Sequence, residues 1–288
     1  MNTITGHTGL TALLGSPVAH SISPLMHNES FRLLGLDYVY LCFDVNENTL
    51  PAAVEGLKTC GIRGFNLTMP NKNKIVELLD ELSPEAQLIG AVNTVLNDNG
   101  KLIGFNTDGY GFMQSVRDAG HDVKGKAVTV MGVGGASMAI CAQSALDGAS
   151  AVRIFARRSS RYWNRTQKFA ENLHARTGCE VCLYDNDDTK SLKEAIDSSY
   201  LLINATSVGM VPDIDDSIIK DPSLFRPGLV VADVVYEPQE TRLLREAKAA
   251  GCQTFNGMYM LLHQGAKAFK IWTGQDMPVS VIKEKYFL

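Results

Sequence analysis

A turn with two lysines, which follows a short apolar segment, contains residue types that could take part in proton transfer. The stretch NLTMPNKNK runs from Asn66 to Lys74 and places two lysines just beyond a predicted strand that ends at Thr68. A lysine at a strand end can donate a proton to a substrate oxygen or stabilise negative charge on it. Lysines are also common on solvated helix faces, and the local pattern alone leaves both interpretations open for Lys72 and Lys74.

A predicted hairpin brings a carboxylate to a comparable position. Asn99-Gly100 lies between two alternating apolar runs, which is the strongest short-range signal for a hairpin. With these two residues in the loop, Asn93 pairs opposite Asn106, and Asp108 follows at the end of the returning strand. Polar side chains would then gather at one strand end. The alternative, which the local pattern favours, is a plain turn in which Asp108 caps the next helix.

A glycine-rich segment, VTVMGVGGASMAI, has the strand–turn–helix order of a dinucleotide-binding loop. Gly132 and Gly134 occupy the first two positions of G-x-G-x-x-G, where the lack of a side chain permits a tight turn close to a pyrophosphate. The third position is Ser137, which is also small. The following helix N-terminus offers free N–H groups and a positive dipole end. The pattern therefore predicts a dinucleotide site.

The residues after the next strand indicate which dinucleotide is bound. An Asp or Glu that binds a ribose hydroxyl is expected there, but the sequence reads FARRSSR and supplies Arg157, Arg158, Ser159 and Arg161 instead. Guanidinium groups at this point suit a 2′-phosphate and favour NADP. The alternative is that one or two of these arginines are ordinary surface charges.

Short apolar runs alternate with helical segments from about residue 125 onward, which indicates a parallel sheet with helices on its faces. The carboxyl ends of such strands line a ligand crevice. The predicted strands are Ala127–Met131, Val152–Phe155, Glu180–Leu183, Leu201–Asn204, Leu229–Asp233 and Gln253–Phe255. The preceding part of the chain is also α/β, with strands predicted in LTALLG, YVYLCFDV, GFNLT and AVNTVL. The fold class is therefore α/β with two domains.

Composition excludes several other classes of protein. A net charge of −4 and the lack of a basic run argue against nucleic acid as a partner. No apolar stretch approaches the roughly 20 residues needed to cross a bilayer, and the N-terminus lacks the pattern of a signal peptide, so we expect a cytoplasmic protein with no membrane partner. Cys179 and Cys182 have metal-site spacing but lie in an alternating run typical of a strand, and we expect no metal site.

Eight blocks in this order resemble the shikimate dehydrogenase family, and most of all its shikimate/quinate dehydrogenase branch. The resemblance covers nearly the whole chain. It implies two α/β domains flanking a cleft: residues 1–110 with 260–288 form the substrate-binding and catalytic domain, and 111–259 form a Rossmann-like NAD(P)-binding domain with a parallel sheet. The blocks are SPVAHSISPLMHN, NLTMPNK, GAVNTV, NTDG, GVGGAS, NATSVGM, DVVYEPQETRLL and GMYMLLHQGAKAFKIWTG.

The resemblance also implies roles for individual residues. Lys72 and Asp108 are the expected catalytic pair, whereas Lys74 lies outside the match. The expected substrate-binding residues are Ser21, Ser23, Thr68, Asn93, Asp108, Tyr236 and Gln264. The expected cofactor-binding residues are Gly132, Gly134, Gly135, Ala136, Arg157, Arg158, Ser159, Thr206, Val208, Met210, Val234 and Gly257.

The implied activity is the NAD(P)-dependent reversible reduction of 3-dehydroshikimate to shikimate in aromatic amino acid metabolism. Relatives that use NADP usually carry Asn-Arg-Thr after the second strand of the cofactor domain, whereas this chain reads Ala-Arg-Arg-Ser, so we expect either NAD or NADP to be usable. Quinate utilisation, a dehydrogenase for another small carboxylate and a non-catalytic nicotinamide sensor are the alternatives. The expected partner is a small-molecule substrate, and the expected state is a monomer or homodimer.

Overall fold

The computed structural model describes residues 3–287 and divides them into two compact units. The first unit holds the described residues up to Gly111 together with those from Leu262 onward, and the second is Phe112–Leu261. The chain passes from one unit to the other within two helices, α4 (Asp108–Asp118) and α9 (Met258–Thr273). Each unit is built on its own six-stranded sheet.

The first unit contains a mixed sheet with the strand order β2-β1-β3-β5-β6-β4. Its strands are β1 (Gly9–Gly15), β2 (Tyr38–Asp44), β3 (Gly64–Leu67), β4 (Glu81–Leu82), β5 (Thr94–Asp98) and β6 (Lys101–Phe105). Its other helices are α1 (Ser23–Leu33), α2 (Leu50–Thr59), α3 (Pro84–Ile89) and α10 (Val279–Tyr286), with a 3-10 helix at Lys74–Leu78. The short β4 and α3 are elements that the sequence patterns did not reveal.

The predicted hairpin is confirmed, and it makes the sheet mixed. β1 runs parallel to β2 and β3, whereas β5 runs antiparallel to β3 and β6 returns antiparallel to β5. Asp98 pairs with Lys101 across the turn. Asn99 and Gly100 have φ values of 52° and 93°, the left-handed conformation that a two-residue hairpin loop needs. The register therefore follows the one that Asn-Gly predicts.

A close approach between the sheet and α9 depends on one glycine. A Cβ at Gly64 would lie 2.3 Å from Nε1 of Trp272, so any larger residue in β3 would displace that indole. Trp272 is 1% exposed and donates from Nε1 to the carbonyl of Val95 at 2.9 Å. The indole thereby buries a large apolar surface while its single polar hydrogen finds an acceptor. This contact anchors α9 on the sheet of the first unit.

The second unit contains an all-parallel sheet with the order β12-β11-β10-β7-β8-β9. Its strands are β7 (Ala127–Met131), β8 (Ala151–Ala156), β9 (Glu180–Asp185), β10 (Leu201–Asn204), β11 (Val230–Asp233) and β12 (Gln253–Phe255). Its helices include α5 (Gly135–Leu146), α6 (Trp163–Thr177), α7 (Thr189–Ser198) and α8 (Arg242–Ala249). The predicted strands are confirmed, and the strand order reverses between β7 and β10. This reversal is the point at which doubly wound sheets bind dinucleotides.

Residues 3–287 have three further properties that bear on function. No helix there is long and apolar enough to cross a membrane. No group of three or more His, Cys, Asp or Glu side chains is arranged so that it could hold a metal ion. All six cysteines are free, and Cys182 lies within β9 as the alternating pattern predicts.

A buried histidine packs in the aromatic core of the first unit. His27 is 0% exposed and stacks on Tyr40 with ring centroids 4.4 Å apart. Neither ring nitrogen of His27 has a hydrogen-bond partner among the described residues. Burial lowers the pKa of His27 to about 3, so the ring is neutral in the folded protein.

We expect His27→Leu to reduce the sensitivity of the protein to acid. The folded-state pKa of about 3 lies below the ordinary value of 6.5, so the unfolded chain binds the proton first and stability falls as the pH drops from about 6.5 toward about 3. At pH 5 this linkage amounts to about 2 kcal/mol. The melting temperature of the wild type should therefore fall more steeply between pH 7 and pH 5 than that of His27→Leu. His7→Leu, at an exposed position, is the control and should keep the wild-type slope. Equal slopes in the wild type and His27→Leu would contradict the prediction.

Candidate active site

The strand directions of the first unit bring its polar residues to one edge of the sheet. β1 and β3 are parallel, so the loops that follow them leave at the same edge. β5 is antiparallel to β3 and begins at that edge, and β6 returns to it. Thr68 therefore follows β3, Asn93 precedes β5 and Asp108 opens the helix after β6, all at the same edge.

Lys72 and Asp108 form an ion pair at this edge. The Nζ atom of Lys72 lies 2.6 Å from Oδ2 of Asp108, and the two side chains are 26% and 6% exposed. Asn93 donates from Nδ2 to the other carboxylate oxygen, Oδ1, at 2.8 Å. Among the described residues, Asp108 is the acceptor that the Lys72 ammonium contacts. Two ammonium N–H bonds therefore remain for an oxygen atom of a substrate.

Asn93 is the centre of the hydrogen bonds beneath the ion pair. It is 2% exposed, and its Oδ1 accepts the backbone N–H of Thr107 at 2.8 Å and the Thr94 hydroxyl at 3.1 Å. Its Nδ2 also reaches Oε1 of Gln264, at 3.3 Å. The amide is thus held from several sides and orients the Asp108 carboxylate. Of the residues that the sequence singled out, Lys72, Asp108, Asn93 and Gln264 are joined by direct contacts.

A buried tyrosine and asparagine extend this network, and sequence reasoning missed both. The Tyr40 hydroxyl donates to Oδ1 of Asn66 at 2.9 Å, and Nδ2 of Asn66 donates to the Thr94 hydroxyl at 3.0 Å and to the Asn93 carbonyl at 3.1 Å. Burial raises the pKa of Tyr40 well above its usual range, so the phenol remains a donor. The available signal was Asn66 itself, a polar residue in a strand whose four positions are all buried.

The loops that carry Thr68 and the two predicted serines begin at a tight contact. A Cβ at Gly15 would lie 2.1 Å from Cγ2 of Thr68, so only glycine allows the end of β1 to approach this side chain. Ser21 follows in the loop after β1 and Ser23 is the first residue of α1, and Oγ of Ser21 accepts the N–H of Ser23 at 3.2 Å. Within residues 3–287, no hydrogen bond joins Thr68 or these serines to the ion pair. Lys74 lies apart and forms a salt bridge with Glu77 at 2.7 Å.

In the second unit, the glycine turn lies at the reversal of strand order. Gly132 follows β7 with a φ of +112°, and a Cβ there would lie 2.8 Å from Cγ2 of Thr206. Gly134 and Gly135 are exposed, no atom lies within 4 Å of a Cβ built on either, and α5 begins at Gly135. Ser137, in place of the third glycine, is buried and donates from its hydroxyl to the Gly132 carbonyl. Ser137 and Thr206 contact the protein side of the turn, whereas Gly134 and Gly135 leave its outer side exposed to solvent, as a pyrophosphate site requires.

The arginines after β8 are exposed, and one of them is oriented by an aromatic ring. The Arg158 guanidinium lies 4.6 Å from the ring centroid of Trp163, and its backbone N–H donates to Oδ1 of Asp185 at 3.3 Å. Arg157 and Ser159 flank it on the exposed turn. These groups, with the open glycine turn, fit an NAD(P) molecule with its pyrophosphate at the N-terminus of α5.

The remaining predicted cofactor residues follow the carboxyl ends of β10, β11 and β12. Thr206, Val208 and Met210 lie after β10, and Met210 is 45% exposed. Val234 follows β11, and a Cβ at Gly257 would lie 2.1 Å from its carbonyl oxygen, so glycine is needed after β12. Tyr236 lies in the loop after β11 and is 38% exposed. Ala136 is in the first turn of α5. Every predicted cofactor residue thus lies beyond the carboxyl ends of the strands of the second sheet.

Comparison with known proteins identifies the family. Residues 13–95 match the model described as "Shikimate dehydrogenase substrate binding domain", and residues 257–285 match "Shikimate 5'-dehydrogenase C-terminal domain". A relative from Listeria innocua, named shikimate dehydrogenase (NADP(+)), is 49% identical over 284 residues, which cover 99% of this chain and 97% of the relative. The chain belongs to the shikimate dehydrogenase family.

Solved structures of similar proteins agree with this family assignment. The shikimate 5-dehydrogenase from Listeria monocytogenes in complex with shikimate and NAD is 48% identical, with a TM-score of 0.94 and coverage of 99% of this chain and 98% of that one. The quinate dehydrogenase from Corynebacterium glutamicum in complex with NAD is 30% identical, with a TM-score of 0.85 and coverage of 97% and 99%. The family resemblance and the α/β fold class predicted from the sequence are both confirmed.

We expect Gly132→Ala to weaken the binding of NADP⁺ at least tenfold. The new methyl group would meet Cγ2 of Thr206 at 2.8 Å and the Ala205 carbonyl at 3.1 Å, at a φ that disfavours side chains. The turn must therefore shift, and isothermal titration calorimetry measures the effect. Gly56→Ala, in the exposed middle of α2 with nothing within 4 Å of its Cβ, is the control and should leave the Kd unchanged. An unaltered Kd in Gly132→Ala would exclude this tight turn as a determinant of binding.

Proposed function

We propose that this protein is an NAD(P)-dependent dehydrogenase that interconverts 3-dehydroshikimate and shikimate. The observation that carries the proposal is the Lys72–Asp108 ion pair, with 2.6 Å between Nζ and Oδ2, held from beneath by Asn93. Its support from relatives is the similarity over nearly full length to proteins named shikimate dehydrogenase, one of which was solved with shikimate and NAD. The reaction belongs to aromatic amino acid metabolism.

The ion pair is suited to the proton transfer that ketone reduction needs. The chemistry that bound NAD(P)H supplies is hydride transfer to a carbonyl carbon, which leaves negative charge on the oxygen. The Lys72 ammonium stabilises that charge and donates the proton. Asp108 holds the ammonium in place, and Asn93 holds Asp108. In the direction of oxidation the Lys72–Asp108 pair accepts the alcohol proton as a unit.

The first unit is proposed to hold the substrate. Ser21 and Ser23 bind its carboxylate, because hydroxyl groups at the entry to α1 can donate to a carboxylate oxygen. Thr68, Asn93 and Gln264 bind the ring hydroxyls. Tyr236, from the loop after β11, contacts the substrate carboxylate or the nicotinamide. Apart from Tyr236, these residues lie within 1–110 and 260–288, the proposed substrate-binding and catalytic domain.

Residues 111–259, which nearly coincide with the second unit, are proposed to hold the cofactor. The exposed glycine turn and the N-terminus of α5 take the pyrophosphate, and the arginines after β8 take the 2′-phosphate when it is present. Both NAD and NADP are usable in this proposal. The cofactor-binding set is Gly132, Gly134, Gly135, Ala136, Arg157, Arg158, Ser159, Thr206, Val208, Met210, Val234 and Gly257.

Quinate is the second candidate substrate. The observation that favours it is the similarity, at 30% identity and a TM-score of 0.85, to a quinate dehydrogenase solved with NAD. Quinate has a saturated ring with one more hydroxyl than shikimate, so a small change in the pocket could admit it. We propose that the enzyme works in the cytoplasm as a monomer or homodimer.

We expect Lys72→Ala to lower kcat by about 10²–10⁴-fold, because it removes the proton donor of the reaction. The measurement is the rate of shikimate oxidation, followed by nicotinamide absorbance. Lys74→Ala is the matched control: this lysine lies two residues away at the start of the 3-10 helix, pairs with Glu77 and should keep wild-type turnover. Near-normal turnover in Lys72→Ala would exclude the proposed role of this lysine.

A two-by-two assay of shikimate or quinate with NAD⁺ or NADP⁺ tests the proposed function. We expect turnover of shikimate, and no activity in any of the four combinations would contradict the proposal.

In the same assay, the double variant Arg157→Ser and Arg158→Ser should lower kcat/KM for NADP⁺ at least tenfold, because guanidinium groups that pair with a phosphate are lost. Its kcat/KM for NAD⁺ serves as the internal control and should stay within about threefold of the wild type. An equal loss with both cofactors would assign these arginines to a role other than reading the 2′-phosphate.

A further inference from the structure

Two fully buried polar residues end adjacent strands in the second unit. Asn204 is the last residue of β10 and Asp233 the last residue of β11, and they pair directly in the register of the two strands. Both are 0% exposed. Asn204 donates from Nδ2 to Oδ1 of Asp233 at 2.9 Å. The pair lies beneath the edge of the sheet from which the two loops leave.

The Asn204 side chain determines the course of the loop after β10. Its Oδ1 accepts the backbone N–H of Thr206 at 3.1 Å and the Thr206 hydroxyl at 2.6 Å. Its Nδ2 also donates to the Val208 carbonyl at 3.1 Å, and the Thr206 hydroxyl oxygen accepts the Val208 N–H at 3.1 Å. The loop is therefore wound around one amide group, whose orientation is set by Asp233.

Asp233 does the same for the segment after β11. Its Oδ1 accepts the backbone N–H of Val235 at 2.9 Å, and its Oδ2 accepts the Thr241 hydroxyl at 2.8 Å. Thr241 is the N-cap of α8, where its oxygen accepts the N–H of Leu244. One carboxylate therefore ties the β10 loop, the β11 loop and the start of α8 together.

The Asp233 carboxylate is fully buried in the second unit. Burial raises the pKa of Asp233 to about 6, and the three groups that contact its carboxylate are neutral donors. Burial of a carboxylate is costly, and groups whose pKa is shifted by burial cluster at functional sites.

We propose that the buried Asn204–Asp233 pair is a positioning element of the cofactor site, which holds the loops after β10 and β11 in the shape that binds the nicotinamide cofactor. This inference rests on the proposed function, since these loops carry Thr206, Val208 and Val234 of the proposed cofactor-binding set. Thr206 also lies against the glycine turn, because a Cβ at Gly132 would be 2.8 Å from its Cγ2. A shift of the β10 loop would therefore move Thr206 against Gly132 and change the shape of the glycine turn that takes the pyrophosphate.

The Kd values for NADP⁺ and NAD⁺, measured by calorimetry, test the proposal with two substitutions of Asp233. Asp233→Ala leaves the Asn204 amide and the Val235 N–H without their acceptor and should raise both Kd values about 10-fold to 100-fold. Asp233→Asn keeps an oxygen for these two donors, and its amide N–H can donate to the Thr241 hydroxyl, so its Kd values should stay within about threefold of the wild type. Amide hydrogen exchange of Val208 and Val235 without any ligand should accelerate in Asp233→Ala only.

A matched pair of threonine variants distinguishes positioning from general stability. Thr241→Val removes the hydroxyl that binds Asp233, whereas Thr129→Val removes an equally buried hydroxyl that binds Ser199 at 2.8 Å. Thr129→Val loses its bond to Ser199, whereas Thr241→Val loses both its bond to Asp233 and the N-cap bond from Leu244, so the change in melting temperature of each variant is compared alongside its Kd. Thr241→Val should raise the Kd for NADP⁺ about threefold or more, with rescue by Thr241→Ser, and Thr129→Val should lower only the melting temperature.

Several outcomes would overturn the inference. Wild-type Kd values in Asp233→Ala, or equal changes in Thr241→Val and Thr129→Val, would reduce the pair to a structural role. If Asp233→Ala fails to fold, the comparison of the threonine variants decides. A wild type that binds NADP⁺ but turns over neither shikimate nor quinate would contradict the proposed function while these Kd comparisons still stand. A wild type that binds neither nucleotide would overturn both.

Discussion

The register of the β5–β6 hairpin is the constraint on which the candidate active site depends. Asn93 stands just before β5 and Asp108 just after β6, so their meeting requires the two strands to pair without a slip. A shift of one residue would turn every side chain of one strand to the other face of the sheet. The two-residue turn at Asn99-Gly100 prevents this, because its left-handed backbone conformation permits only one tight connection.

Each unit buries an aspartate at or just beyond the end of a strand, and in both units an asparagine side chain holds the carboxylate. An asparagine amide donates to Oδ1 of an aspartate, at 2.8 Å from Asn93 to Asp108 and at 2.9 Å from Asn204 to Asp233. The difference lies at Oδ2. In the first unit this oxygen takes the ammonium of Lys72, which is partly exposed and can reach a substrate. In the second it takes a buried threonine hydroxyl, so the carboxylate can only hold its surroundings in place.

Local sequence signals predicted the elements whose conformation is determined locally. The Asn-Gly turn, the glycine turn at Gly132 and the strands of the second unit each have a signature within a few residues, and the fold bears them out. The buried network could not be predicted in this way, because Tyr40 and Asn66 meet only when β1 lies between their strands. Gln264 is 171 residues from its contact Asn93, so only the family resemblance suggested it.

The electrostatics of the turn after β8 explain why cofactor choice is the least determined property of the site. A free carboxylate there would accept a ribose hydroxyl and repel a 2′-phosphate. The nearby acid, Asp185 at the end of β9, instead accepts the backbone N–H groups of Arg158 and Asp187. The stacking of Arg158 on Trp163 reduces the freedom that this side chain must lose on pairing with a phosphate. In the proposed site, NADP would therefore gain an ionic contact that NAD lacks, while an exposed turn with no acidic residue of its own would present no obstacle to NAD.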